Sequence, residues 1–317
     1  MMNNHRSLMM DLQKIHDVIV RLLENRRFHY IDIPIHDNIG DLLIMKGTLR
    51  FFGKHKLAPA SVSSVVSFNA DWVKPGDVLV FHGGGNFGDL YANINDLREA
   101  LIARFPQNRV VIMPQTIFFS TEEKQQRAAA VFRRHPDLHL FVRDRVSLAI
   151  AREFTGKAYL APDMAHHLYP IAARSEAGAG TLRIARVDQE KPAAAAAAGA
   201  LAYDKRTDWI DLIGGESRLI DLVWKLEYQF QHRKWDRLRR KLGPMVWVPI
   251  SNRFSAKAIS LFSRYDHIVT DRLHGHILAC LMDKKNTVID NSYGKNSTYI
   301  NEWTRASDMV HLVGAPV

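Results

Sequence analysis

Residues 270–275, Thr-Asp-Arg-Leu-His-Gly, put a guanidinium and an imidazole two positions apart, where the apolar run 267–269 gives way to a helical pattern. Arg272 can grip a carboxylate or phosphate through two parallel hydrogen bonds, and His274 can give or take a proton near neutral pH. A fixed cation beside a titratable ring suits chemistry on an anion. The plainer reading of the same residues is an Arg272–Asp271 ion pair and a histidine at a helix start.

Other segments add polar groups at similar transitions. In residues 82–89, His-Gly-Gly-Gly-Asn-Phe-Gly-Asp, a strand pattern runs into Gly83, Gly84, Gly85 and Gly88, with Asn86 and Asp89 among them. Glycines let successive main-chain N–H groups face a phosphate or carboxylate at a helix start, or serve only a tight turn. The spacing is neither that of a dinucleotide fingerprint nor that of a P-loop. Residues 36–41, His-Asp-Asn-Ile-Gly-Asp, repeat the form, and Asn38 and Asp41 suit either a cap or a site. Arg143 and Arg145 flank Asp144 after a strand pattern, where a surface ion pair is the simple explanation. Asp163 precedes His166 and His167, which would hold a metal only if a third ligand converged. With no HExxH or comparable signature, no obligatory metal is expected.

The elements that must position these groups alternate. Strand patterns at 28–33, 62–66, 78–81, 110–113 and 138–142 are separated by helical patterns at 42–52, 93–104 and 122–134. Strand-helix alternation implies parallel sheets, with active groups at the carboxyl ends of the strands. It fails between 174 and 200, where an alanine tract follows Pro192. That region also holds a short apolar run at 182–187, and alternation resumes with strands expected at 245–250, 267–269 and 287–289 and helices at 255–264 and 273–282. The expected architecture is α/β, two Rossmann-like domains facing across a cleft in a GT-B-like way. Residues 1–175 form the first, with an amphipathic lead-in helix, and 176–317 the second, with an insert at 189–203 read as helical or mobile.

The chain has 317 residues, 47% hydrophobic, enough for two cores, and its single cysteine, Cys280, excludes an internal disulfide framework. No signal-peptide core or run of 18 apolar residues is present, so a cytoplasmic protein is expected. Lys and Arg number 43 against 33 acidic residues, a net +10 that points toward anionic partners without choosing among them. Residues 216–242 lack Gly and Pro and read as one helix with a basic end; residues 232–241 hold six Lys or Arg and one Asp. No nucleic-acid motif accompanies the surplus, and no nucleic-acid partner is expected.

Taken in order, DNIGD, HGGGNFGD, VRDRVS, APDMA, VTDRLHGHILACL and VIDNSYGKNSTYINEW resemble the polysaccharide pyruvyl transferase family over about residues 30–305. The match is poor at 172–244. The resemblance implies a GT-B-like fold and transfer of pyruvate from phosphoenolpyruvate to a sugar, generally as a cyclic ketal. It carries phosphoenolpyruvate contacts onto Arg272, Leu273 and His274, and onto Arg186 ahead of a D-x-E pattern. It places Asn38, Asp41, Gly83, Gly84, Gly85, Asn86 and Asp89 in loops lining the cleft. Arg143, Asp163, Asn291 and Lys295, from the other matching segments, join them as substrate-binding residues. Asp37 stands where the family commonly has glycine. The implied chemistry has His274 protonate the methylene carbon or an equivalent position while Arg272 and Arg186 stabilise charge.

No cofactor beyond phosphoenolpyruvate as donor is implied. The implied acceptor is a saccharide of an exopolysaccharide or its polyprenyl-diphosphate-linked precursor. The stretch with Trp224, Tyr228, Phe230 and Trp235 then either rests on anionic lipid, making the protein peripheral at the inner membrane face, or is a solvated helix. The competing reading is a nucleotide-sugar-dependent GT-B glycosyltransferase.

Overall fold

The computed structural model describes residues 4–172, 178–186, 201–231, 235–290 and 294–313. The lead-in forms two helices, α1 (Asn4–Lys14) and α2 (Asp17–Leu23), broken at Ile15–His16. β1 (Phe28–Ile31), β2 (Ser61–Val62), β3 (Val78–Phe81), β4 (Gly84–Gly88), β5 (Val110–Phe118), β6 (Leu138–Val142) and β7 (Ala158–Leu160) build the first sheet. Its order is β2-β1-β3-β5-β6-β7, with β4 pairing along β5. α3 (Ile39–Lys54), α4 (Ala92–Arg104), α5 (Glu122–Phe132) and α6 (Arg145–Phe154) connect it. β1 and β3 bury every residue, as strands covered on both faces must.

The second sheet comprises β8 (Thr181–Ile184), β9 (Lys205–Thr207), β10 (His267–Thr270), β11 (Lys285–Ile289) and β12 (Val310–Val313), in the order β12-β11-β10-β8-β9. α7 (Trp209–Ile213), α8 (Ser217–Gln231), α9 (Asp236–Leu242), α10 (Val248–Ser263), α11 (Leu273–Leu281) and α12 (Lys295–Trp303) accompany it. The pairings of both sheets are parallel.

Strand order has a direct consequence for function. In the first sheet β1 has β2 on one side and β3 on the other; in the second, β8 lies between β9 and β10. These are the points where connections leave in opposite directions, and they open a crevice at the strands' carboxyl ends. The segments there carry Asn38 and, at the start of β4, Gly85 in one sheet, and Arg186 and Arg272 in the other.

The two sheets share one hydrophobic core, running from Phe28 and Tyr30 to Ile268 and Ile277. Elements of each half also reach across. His5 of α1 bonds to Cys280 O at 2.8 Å and Ser307 Oγ at 2.6 Å. Trp303 of α12 donates its indole N–H to Arg143 O at 2.6 Å.

Several sequence expectations change. Residues 245–250 are not a strand: α9 passes through a π-helical turn, Gly243–Trp247, into α10. A short apolar run cannot distinguish a strand from a buried helix, and here helical geometry buries Trp247 and Phe254 together. The wider π turn also accommodates Pro249, which has no N–H to give. The helix expected over 216–242 is divided into α8 and α9, residues 232–234 lying outside the described residues. Of the strand expected at 62–66 only Val62 pairs, beside Ser61, because Ser64 Oγ turns the chain by accepting from the N–H groups of Val66 and Ser67, both at 3.1 Å. Most of the expected insert, 189–200, lies outside the described residues.

Candidate active site

β10 ends on Thr270, whose Oγ1 accepts from Arg272 N at 3.0 Å and so turns the chain into α11. Gly275 is required there, because a Cβ on it would lie 2.4 Å from that Oγ1. Arg272 occupies the N-cap position in extended conformation and makes no side-chain cap. Its partner is Asp208 rather than the Asp271 expected from sequence: Nε and one terminal nitrogen donate to the two carboxylate oxygens, the latter at 2.6 Å. Successive residues of an extended chain point to opposite sides, so Asp271 turns away and accepts from Arg186 N at 2.8 Å. Burial raises the Asp271 carboxyl above its ordinary range, against the Arg186 N–H and nearby arginines. Asp208, fully buried, also caps α7 through Trp209 N at 2.7 Å, in a capping box with Asp211.

His274 lies one residue into the same helix, 12% exposed, with Nε2 3.2 Å from Asp163. Asp163 is fully buried and ion-paired to Arg143, and it accepts from Ala165 N at 2.9 Å. Burial opposes its ionisation, but His274, Arg143 and that N–H outweigh it and hold the carboxyl well below its usual range. Arg143, 1% exposed, donates to Thr116 Oγ1 at 2.9 Å. The His274 ring rests on the first turn of α3: a Cβ at Gly40 would lie 2.6 Å from its Nδ1. The imidazole is therefore held from below by a carboxylate and from the side by a glycine of the other sheet's helix.

These groups face a cleft of about 70 Å³. Asn38, Asp41, Gly85, Tyr91 and Arg143 line it from the first sheet, and Arg186, Trp209, Arg272, Leu273, His274 and Asn296 from the second. Asp41 is the one carboxylate among these described lining residues. A larger groove, about 690 Å³, lies at the amino ends of β10–β12 near Asp266 and Asp308. The small cleft is the better site because three arginines and a carboxylate-bound histidine converge on it, at the strand ends where parallel sheets bind ligands.

The structure places the remaining sequence candidates as follows. Asn38 caps α3, accepting from Gly40 N at 3.1 Å, and donates to Asp41 at 2.9 Å; both also line the cleft. The glycine segment is corrected: residues 84–88 form a strand on β5 rather than a cradle of N–H groups at a helix start. Gly88 serves that pairing, with φ 123° and room for no Cβ, which would sit 1.7 Å from Phe118 O. Gly83 packs against Pro114 O and Gly84 against Ile44, leaving Gly85 as the cleft contact. Asn86 is committed to Arg98, accepting at 2.8 Å. Asp89 is held outside the cleft by Ser120 N and Lys124 Nζ, both at 2.9 Å. The surface ion pair expected around Asp144 is corrected: Arg145 pairs with Glu302 and buried Arg143 with Asp163, while Asp144 caps α6 by accepting from Ser147 N at 2.7 Å. His167 Nε2 meets His16 Nδ1 at 3.0 Å and His166 Nε2 meets Tyr299 Oη at 2.9 Å, so both rings join the packing. Among the described residues no group of three His, Cys, Asp or Glu could hold a metal ion. Asn291 and the side chain of Lys295 lie outside the described residues.

Sequence reasoning missed Asp208, Gly40, Tyr91, Trp209 and Asn296. Asn296 bridges the two strand ends, donating to Asp271 O at 2.8 Å and Ile289 O at 3.0 Å. Its available signal was its place in the segment VIDNSYGKNSTYINEW. Asp208 had none, standing 64 positions from Arg272.

The switch points of two parallel sheets meet at a cleft walled by arginines around a carboxylate-bound histidine, which makes this an α/β protein with a cationic site whose residues suit chemistry on an anion. The chain belongs to the polysaccharide pyruvyl transferase family, whose pattern matches residues 38–293. It is thereby a transferase. It is 35% identical to the putative pyruvyl transferase EpsO of Bacillus subtilis (strain 168), over 98% of this chain and 96% of that protein. Pyruvyl transferase 1 of Schizosaccharomyces pombe is 30% identical over 86% of this chain and 68% of its own length. A crystal structure of a functionally uncharacterised Klebsiella pneumoniae protein superposes with a TM-score of 0.58 at 20% identity, covering 99% of this chain and all of that one, a likeness of fold. Among the described residues no helix is long and apolar enough to cross a membrane.

Proposed function

We propose that this enzyme transfers pyruvate from phosphoenolpyruvate to a sugar of an exopolysaccharide or its lipid-linked precursor, closing a cyclic ketal without an obligatory cofactor. The observation that carries the reading is the pair of buried carboxylates, Asp208 and Asp163, that fix Arg272 and His274 side by side in a cleft with Arg186 and Arg143. Phosphoenolpyruvate presents a carboxylate and a phosphate, and guanidinium groups from several loops can hold both ends. In this mechanism His274 protonates the methylene carbon, leaving an oxocarbenium-like centre at C2. An acceptor hydroxyl attacks C2 and its proton passes to Asp41. The C2–O bond to phosphate then breaks, Asp41 returning its proton to the leaving group. A second hydroxyl adds to C2 and gives its proton to His274, which completes the ketal and resets both residues. Arg272 and Arg186 stabilise the developing and departing charge.

In this reading the two sheets are the cores of two Rossmann-like units, residues 1–175 and 176–317, facing in the GT-B manner, and the enzyme works in the cytoplasm. Thermal shift separates it from a nucleotide-sugar glycosyltransferase: phosphoenolpyruvate should raise the melting temperature, UDP and GDP should not. Product should gain about 70 Da by mass spectrometry, as a ketal requires. Stabilisation by UDP or GDP but not by phosphoenolpyruvate overturns the proposal.

A further inference from the structure

α8 buries Ile220, Val223 and Glu227 against the protein, so its inner stripe is filled. At helical spacing on the opposite side stand Arg218, Leu222, Lys225 and Tyr228. A second exposed stripe, Leu238, Lys241 and Met245, lies along α9 and the π turn. Trp235 joins them, its ring 5.4 Å from Phe230. The apolar members are unusually open: Leu222 is 51% exposed, Tyr228 54%, Trp235 49%, Leu238 43% and Met245 66%. Arg218, Lys225 and Lys241 make no ion pair among the described residues, and Asp221 is the acid on this face.

The basic run that drew attention in the sequence does something else. Arg239 is buried, donating to Val66 O at 3.1 Å and Phe68 O at 3.0 Å, and it lies with Arg240 over the Trp72 ring. These arginines clamp α9 to the segment between β2 and β3. Trp224 clamps α8 likewise, its indole N–H donating to Ile35 O at 3.1 Å, three residues before the cleft's Asn38. The outward face is thus rigidly held beside the cleft.

We propose that this outward face of α8 and α9 docks on an anionic lipid bilayer. Apolar and aromatic side chains alternating with cations are what an interfacial helix presents, the rings and aliphatic groups entering the acyl boundary while Lys and Arg meet headgroups. A second copy of the chain fits worse, because self-pairing would oppose like charges. The inference rests on the helix faces alone and stands apart from the transfer chemistry.

The test is co-sedimentation of the full chain with phosphatidylcholine vesicles containing or lacking phosphatidylglycerol. Binding is expected only with phosphatidylglycerol, weakening as salt rises. A Lys225→Glu/Lys241→Glu variant should lose more than an order of magnitude, since each cation contributes about fivefold near an anionic leaflet. Leu222→Ser/Tyr228→Ser/Trp235→Ser should abolish binding and leave the melting temperature and phosphoenolpyruvate-induced shift unchanged. No binding to phosphatidylglycerol vesicles, wild-type binding by both variants, or a dimer in sedimentation equilibrium that the Ser variant dissolves would each overturn the proposal.

Discussion

Asp208→Asn removes a charge without removing a cap. Asp208 is completely buried, and it makes two bonds to Arg272 while accepting from Trp209 N. Asn keeps one oxygen for the helix, so the capping contribution of about 1 kcal/mol should survive. It cannot keep both charge-assisted bonds to the guanidinium, each worth about 1.5–3 kcal/mol. Arg272 would then lose its fixed aim into the cleft. If it acts as one preorganised electrostatic donor, the loss is about 3 kcal/mol, or a hundredfold in kcat/KM. The assay is phosphate release from phosphoenolpyruvate with a depyruvylated exopolysaccharide as acceptor, run beside thermal melts. Asp208→Ala should show the same catalytic loss and a melting temperature lower than that of Asp208→Asn. Wild-type kcat/KM in Asp208→Asn would refute the idea that this carboxylate aims Arg272.

Two further outcomes follow from packing and burial. Gly40→Ala inserts a methyl 2.6 Å from His274 Nδ1 and 2.9 Å from its Cγ, so the ring must move. Turnover should fall at least tenfold while circular dichroism and melting stay close to wild type; unchanged turnover would show that the ring's seat on α3 is irrelevant. Burial lowers the His16 pKa from 6.5 to about 4 and that of His166 to about 3. With folded values below the unfolded value, the unfolded chain binds the extra protons, so stability present above pH 6.5 is lost as pH falls toward the folded values. The loss is about 2 kcal/mol per ring by pH 5. Melting curves from pH 7.5 down to 5 should record it, and a flat profile would contradict neutral burial.

Much of the fold was legible because most of its strands are short, largely apolar and separated by helices of regular period. β1, β3, β6 and β10 occur close to where pattern places them. The failures share causes. β4 is glycine-rich, β7 and β9 are three-residue edge strands, and 245–250 is an apolar run too short to reveal its period. Among site residues, Arg272, His274, Arg186, Arg143, Asn38 and Asp41 reach one cleft, whereas Asn86 and Asp89 are held by other partners.

What the sequence alone determined was chemistry: an arginine and a histidine at a strand end, with turns that present polar groups at the carboxyl edges. Such features depend on neighbours a few positions away, and the chain displays them directly. What only the tertiary structure decided was partnership. Asp271 lies next to Arg272, yet the extended backbone turns it away and brings Asp208 from another loop. Asp163 and Gly40, from the other sheet, complete the seat of His274. The strand order sets those pairings, because it determines which loops meet at the two switch points.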